Sequence, residues 1–497
     1  MESSPPNPTF VRPLLPAIAA LLIVLVPPVA RASDEEGEDA PAADAQPRGE
    51  EDEPPPPNTA EDEVEELRRR VEALEQLLRD HAPEASEPPA LPAADPAPVD
   101  AGETAPDRPL LPIRIELHGY GETTFDWLDH AADPTTEGGS APDSRGVFDL
   151  ARLSLELEVD LGAGFEVEAE VEFEHGGTGA ELELEYEEFG EYETKVTKGG
   201  EVLLEELYLA RSFGPHLQLK VGRFYVPIGL LHNHHRPFDY LGSKRPESET
   251  TVIPGVWDEL GISARVRLRW FSATVQVVSG LDSTGFSSQG WIATGQQRRF
   301  ELVRVRAPAV AGRIDLHPVE GLVFGGSFYA GDTSGGRPKD DMRGIAAPLL
   351  LASAHAAVDL GPIRGRFSLV WGHLWNAAEI SEKNRRLSNN LGVLRSAVAD
   401  EGLSLWGEFG VDVLALALAA SAHRLEPFVR IEHYDTMFRV DDDVFDNPRF
   451  QRTLIAGGLS WSWRERAGLK LDLTHRRFGS DELRPETAVR LTAAFQF

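Results

Sequence analysis

The clearest pattern in the chain is a strict alternation of apolar and charged residues at 165–175, "FEVEAEVEFEH". Phe165, Val167, Ala169, Val171 and Phe173 share one face of an extended strand, and Glu166, Glu168, Glu170, Glu172 and Glu174 share the other. The same period of two runs through 150–161, 216–224, 261–270, 455–465 and 468–478. It predicts strands at about 113–125, 146–160, 164–175, 203–213, 216–225, 257–268, 270–280 and 308–317. The series continues at about 321–331, 349–360, 362–374, 402–414, 424–436, 452–463, 466–477 and 486–497. Short turns at 161–164, 213–216, 268–270, 317–321, 360–363 and 463–468 alternate with long polar loops near 126–145, 176–202, 226–256, 281–307, 332–348, 375–401 and 437–451. One connection, near 415–423, is looser than this rule, and the acidic loop at 176–202 has alternating text ("ELELEYEEF") that would extend two strands above the membrane, the alternative to a plain loop.

A secreted β-sandwich has no reason to alternate loop length in this way. A membrane barrel has one, because periplasmic turns are short and surface loops are long. The expected fold is therefore all-β: a transmembrane antiparallel β-barrel of about sixteen strands over residues 113–497. Trp270, Phe271, Trp461, Trp463 and Phe497 fall at the predicted periplasmic strand ends, where an aromatic girdle would sit. The last segment, "VRLTAAFQF", puts Val489, Leu491, Phe495 and Phe497 toward lipid and Arg490 and Gln496 toward water. Phe495 and Phe497 look like the signal by which the barrel-assembly machinery receives its clients.

The text before the barrel differs. Residues 1–32 carry Arg12, an apolar run at 14–26 and small residues before Ala32, which reads as a secretory signal peptide; the run is short for a spanning helix. Residues 33–60 are acidic and Pro/Ala-rich and are expected to be disordered. At 61–81 Val64, Leu67, Val71, Leu74 and Leu78 form a heptad seam, predicting a short coiled-coil helix; a lone amphipathic helix is the alternative. A Pro/Ala-rich linker occupies 82–112. This arrangement implies a bacterial outer-membrane location, with the acidic tail and coiled coil in the periplasm.

Composition adds exclusions. The 82 acidic against 48 basic residues give a net charge of −34, much of it in the tail, which argues against nucleic-acid partners. The absence of cysteine rules out disulfides and thiolate chemistry. Inside the barrel, the polar strand faces would line the lumen: Glu156, Glu158, Glu168, Glu170 and Glu172 on neighbouring strands, with Lys220, Arg265 and Arg267 further round. Charges this dense need water, and about sixteen strands enclose a water-filled channel. The Pro-containing loop at 226–256 is the candidate constriction, with His232, His234, His235, Arg236, Lys244 and Arg245; a solvated external loop is the alternative.

The segments "VGRFYVPIGLL" (221–231) and "VWDELGISARV" (256–266) resemble those around the third loop of outer-membrane porins of the phosphate-selective O and P type. That resemblance implies a trimeric sixteen-stranded barrel, embedded in the lipid bilayer, passing small hydrophilic solutes or ions, often anions. The carboxylates on the second and third strands depart from the basic ladders that phosphate selection requires. A general pore with acidic and basic walls suits the residues better.

Other constellations are weaker. "HNHH" (232–235) has no closed metal-site spacing, and "DDD" (441–443) lacks the Gly and terminal Glu of an EF-hand loop. His373, Asn376 and Ser381 lie near one rim without a nucleophile motif, so no enzyme, metal or cofactor is expected. The alternative function is a non-conducting barrel serving as an adhesin or envelope tether.

Overall fold

The computed structural model describes residues 113–497 except 134–135, 188–190, 298–301, 336–341, 343, 388–395, 419–420 and 443, with the backbone alone over 177–199. The signal peptide, acidic segment, heptads and linker expected over 1–112 lie outside the described residues.

Sixteen antiparallel strands close into a barrel in which each pairs with its sequence neighbours and β1 pairs with β16. They are β1 (Arg114–Ala131), β2 (Pro142–Gly162), β3 (Phe165–Glu187), β4 (Glu191–Phe213), β5 (Leu217–Tyr225), β6 (Asp258–Arg267), β7 (Phe271–Val278) and β8 (Ala309–Val319). The second half comprises β9 (Leu322–Asp332), β10 (Pro348–Leu360), β11 (Ile363–Leu374), β12 (Glu401–Val411), β13 (His423–Arg439), β14 (Gln451–Trp463), β15 (Ala467–Phe478) and β16 (Glu486–Gln496). Every predicted strand is present. The alternation sorts as expected: Leu207, Leu209, Val221, Ile262 and Val275 are exposed on the outside, while Glu172, Arg430 and Lys470 are buried within.

Closure follows from small residues facing aromatics. The amide of Gly119 donates to Phe497 O at 3.2 Å and the Phe497 amide donates to Gly119 O at 2.9 Å. The Phe495 ring lies where a Cβ on Gly121 would stand, 2.6 Å from Cζ. A glycine flat against an aromatic lets the two strands approach without a gap.

Three connections carry regular structure beyond the predicted strand bounds. β3 and β4 each run 23 residues, more than twice the roughly 9–11 a tilted membrane strand needs, so the acidic text at 176–187 and 191–202 continues the two strands beyond the barrel. The loose connection after β12 contains a short helix, α1 (Val413–Ala417), whose first turn is capped by Asp412 accepting from Leu414 N at 3.1 Å and Ala415 N at 3.3 Å. The rim connection after β11 also contains a helix, α2 (Ala377–Arg385). Ser381, weighed above as a nucleophile, donates to Ala377 O at 2.7 Å and accepts from Val398 N at 2.9 Å within that helix region.

Candidate functional site: the loop across the lumen

The connection from β5 to β6 folds into the barrel. Its neck is closed by Val226 N donating to Trp257 O at 2.7 Å. Glu249, fully buried in a short helix at Glu247–Val252, then holds the loop in shape: one oxygen accepts from Leu230 N and Leu231 N, both at 2.8 Å. Its other oxygen accepts from Trp406 Nε1 of β12 at 2.8 Å.

The walls then take up the loop's backbone. Glu408 on β12 accepts from Leu241 N at 2.7 Å and Gly242 N at 3.2 Å. Asp472 on β15 accepts from Ser243 N at 2.6 Å, and Glu432 on β13 accepts from Ser248 N at 2.8 Å. The buried Lys470 ammonium donates to the carbonyls of Pro237, Tyr240 and Gly242, the last two at 2.8 and 3.0 Å, and sits 4.0 Å from the Tyr240 ring centre. Side chains pair by sign. The basic Arg236 and Lys244 reach Glu156 and Asp126, both at 2.6 Å, on β2 and β1. The acidic Glu247 reaches Arg476 at 2.5 Å on β15 and Arg452 at 3.7 Å on β14, beyond β16 from the first pair. Burial pushes the Glu247 carboxyl up, but these guanidiniums and the Tyr434 hydroxyl outweigh it and hold it down at about 2.

The expectation that the lumen charges must be satisfied by water is corrected accordingly. Glu170 accepts from Ser154 Oγ at 2.5 Å and Tyr225 Oη at 2.9 Å, and Glu172 accepts from Tyr120 Oη at 2.9 Å with Arg245 3.8 Å away. Fixed hydroxyls and loop cations replace much of the solvent. An apolar cluster adds to the filling: Val252, Ile253 and Trp257 of the loop pack with Trp291 and Ile292 from the β7–β8 connection and with Leu374 and Ile380.

The remaining predicted residues divide. Arg245 donates through Nε to His235 O at 3.1 Å and reaches Tyr120 Oη at 3.3 Å. The three imidazoles go to separate places: His232 lies 3.3 Å from Arg313, His234 lies 2.6 Å from Asn233, and His235 lies 3.2 Å from Leu231 O and packs edge-on against Tyr225. Burial, with Arg245 next, pushes the His235 imidazole down to about 3, so it is neutral at ordinary pH. Lys220 lies 3.6 Å over the Tyr208 ring, whose hydroxyl donates to Glu168. Glu158 stands across from Glu116 and beside His118 at the β1 start. Arg265 and Arg267, near the end of β6, border neither cavity described next.

Between the loop and the walls of β1–β4 and β13–β16 lies a cavity of about 390 Å³. A second, of about 280 Å³, lies at the other level of the loop beside His118, Tyr120, Glu156, Arg236, Arg466 and Phe497. Eight carboxylates and five Arg or Lys side chains border the larger one. Several were not among the predicted lumen residues: Glu122, Arg152, Glu205, Arg430 and Glu432. All but Glu205 follow the inward alternation of their strands, so the same period-two rule could have found them.

No family model matches the chain. A curated relative, an uncharacterized protein of Aquifex aeolicus, is 28% identical over 134 residues, which is 27% of this chain and 30% of the relative. The matched part of the chain thus spans less than a third of that relative. Among solved structures, the chain is similar to an anion-selective porin from Comamonas acidovorans, at 11% identity and TM-score 0.46, covering 78% of this chain and 100% of the other. It is also similar to the outer membrane channel DcaP of Acinetobacter baumannii, at 10% identity and TM-score 0.45, covering 78% and 97%. A third is outer-membrane expressed OmpT of Vibrio cholerae, at 7% identity and TM-score 0.44, covering 78% and 98%.

Proposed function

We propose that this protein is an outer-membrane channel for passive diffusion of small hydrophilic solutes or ions. The observation that carries the proposal is the polar, charged cavity left between an inward-folded loop and the wall of a closed sixteen-stranded barrel. A barrel whose only task was to present a stalk would gain nothing from a charged interior, since burying charge costs several kcal/mol per ion before pairing returns it. The cavity holds on the order of a dozen waters, which limits cargo to small solutes. A phosphate-selective role of the O and P type is disfavoured by eight carboxylates around that cavity. A trimer, periplasmic termini and delivery by the barrel-assembly machinery through Phe495 and Phe497 complete the proposal. The purified protein should give stepwise conductance in a planar bilayer and admit small neutral solutes in a liposome-swelling assay. Silence in both would leave the tether as the better account.

A further inference from the structure

Three metal-ligating side chains meet on the lumen face at the start of β1. Ile115 and Leu117 are exposed on the outside of that strand, so Glu116 and His118 face inward. Leu157 is exposed on β2, so Glu158 faces inward too, and the register sets it directly opposite Glu116. One ligand atom from each of Glu116, His118 and Glu158 lies within 4.8 Å of the other two, and all three residues are partly buried. No other group of three His, Asp or Glu among the described residues converges this closely. Nε2 of His118 is 3.4 Å from Oε2 of Glu116. Ligands held about 2.1 Å from a tetrahedral zinc ion stand about 3.4 Å apart, so this pair is already at coordination spacing.

The competing partners are few. Oε1 of Glu116 is taken by Arg114, whose side chain is 76% exposed, and an exposed pair of this kind holds its members only loosely. Glu158 has no hydrogen bond or ion pair among the described residues, although Glu116 and Glu168 flank it on the neighbouring strands. Carboxylates set side by side across a ladder repel one another. Nearby cations have other neighbours: Arg236 pairs with Glu156 at 2.6 Å, and Lys220 lies over the Tyr208 ring, whose hydroxyl donates to Glu168. Arg464 and Arg466, which border the smaller cavity with His118, come from the β14–β15 turn, beyond β16 from β1. The imidazole separates this group from an acidic surface patch, because it supplies a nitrogen ligand at the same point as the carboxylates.

We infer that Glu116, His118 and Glu158 form a binding site for a divalent transition cation of the zinc type. Two carboxylates and one imidazole suit such an ion, and three protein ligands leave a coordination position for water or a solute group. His118 borders the smaller cavity, which gives the site an entry path from the lumen. A bound ion ties β1 to β2 and offsets the repulsion between Glu116 and Glu158. Neither metal candidate weighed in the sequence, 232–235 or 441–443, includes these residues; the strand register is what brings them together. The site does not depend on the channel proposal.

The test is calorimetric titration of ZnCl₂ into the purified full chain in detergent, with excess Mg²⁺ present to occupy weak carboxylate sites, including those of the acidic segment at 33–60. Compared with the wild type, His118→Ala and Glu158→Gln should each lose one bound Zn²⁺ per chain. Glu166→Gln removes a carboxylate charge from the adjacent acidic strand without touching the three ligands, and it should keep that ion. Barrel assembly of each variant is checked by its heat-dependent mobility on a gel. Retention of the ion in either assembled ligand variant, or its loss in Glu166→Gln as well, would overturn the inference. Conductance is not read in this experiment, so either result leaves the channel proposal where it stands.

Discussion

Glu249→Gln changes one atom's chemistry and almost no volume, and it strikes where the loop is closed. Three donors converge on the carboxylate at 2.8 Å: the amides of Leu230 and Leu231 and the Trp406 indole. The glutamine amide offers one acceptor and two donors. If its oxygen faces the two amides, its NH₂ faces the indole N–H; the reverse leaves it against both amides. In the better orientation one hydrogen bond is lost outright and two lose their charge assistance. Bonds to charged groups are worth about 1.5–3 kcal/mol each and neutral ones about 0.5–1.5, so the gross loss is about 3–5 kcal/mol. Removing a buried charge returns part of it. A net loosening of about 2 kcal/mol remains, or about a 30-fold rise in opening of this part of the loop. Hydrogen exchange read by mass spectrometry on a peptide covering 226–235 measures it directly, since exchange at Leu230 and Leu231 follows that opening. Exchange at these amides within about twofold of wild type would refute the role assigned to Glu249.

Other changes test the remaining contacts. The Glu247 carboxyl is held at about 2 against an ordinary 4.5, so its contribution to loop docking is complete above pH 4.5 and is lost as pH falls through about 2. Protease access to the loop should therefore stay constant from pH 7 to about 4 and increase only near pH 2, checked with an acid-active protease. Gly121→Val would put a side chain into the Phe495 ring and should cost about 1–3 kcal/mol at the β1–β16 seam, seen as a lower unfolding temperature; Thr123→Val, exposed two residues away on the same strand, should not. Trp291→Ala empties a fully buried site in which the ring lies on Gly372 and Gly402 and Nε1 donates to Ala399 O at 3.0 Å. A loss of about 3–5 kcal/mol is expected there, read as faster proteolysis within 281–307 with the barrel intact.

The sixteen strands were legible because lipid and lumen impose opposite chemistry on adjacent residues, and Phe165 through Glu174 display that contrast without a break. The inward fold of 226–256 was legible more weakly, from length and prolines. Trp291 carried no local signal, because its seat is made by two glycines on β11 and β12, over eighty residues away in sequence. The β3–β4 extension was visible as alternating text but had no membrane reason to exist. Glu205 was hidden by the very rule that revealed the rest: reading every second residue inward assigns either Glu205 or Glu206 to lipid, and only the register of the neighbouring strand shows the extra residue.

The loop's own charge order helps to fix the direction in which it lies within the barrel. Its basic residues Arg236, Lys244 and Arg245 come before Glu247 and Glu249 in the chain, with Asp239 the one acidic residue among them. The acidic side of the barrel, Asp126, Glu156 and Glu172 on β1–β3, meets the first group. Arg452 and Arg476 of β14–β15 and Trp406 of β12 meet the second. Turning the loop end for end would set like charges against each other at both groups of strands, a cost of roughly 1–4 kcal/mol per close pair at effective dielectrics between water and a protein surface. The same pairing removes most fixed charge from the loop side of the cavity. Docking therefore draws on the acidic surface of β1–β3, where Asp126, Glu156 and Glu172 meet Lys244, Arg236 and Arg245 and hold the first half of the loop in place.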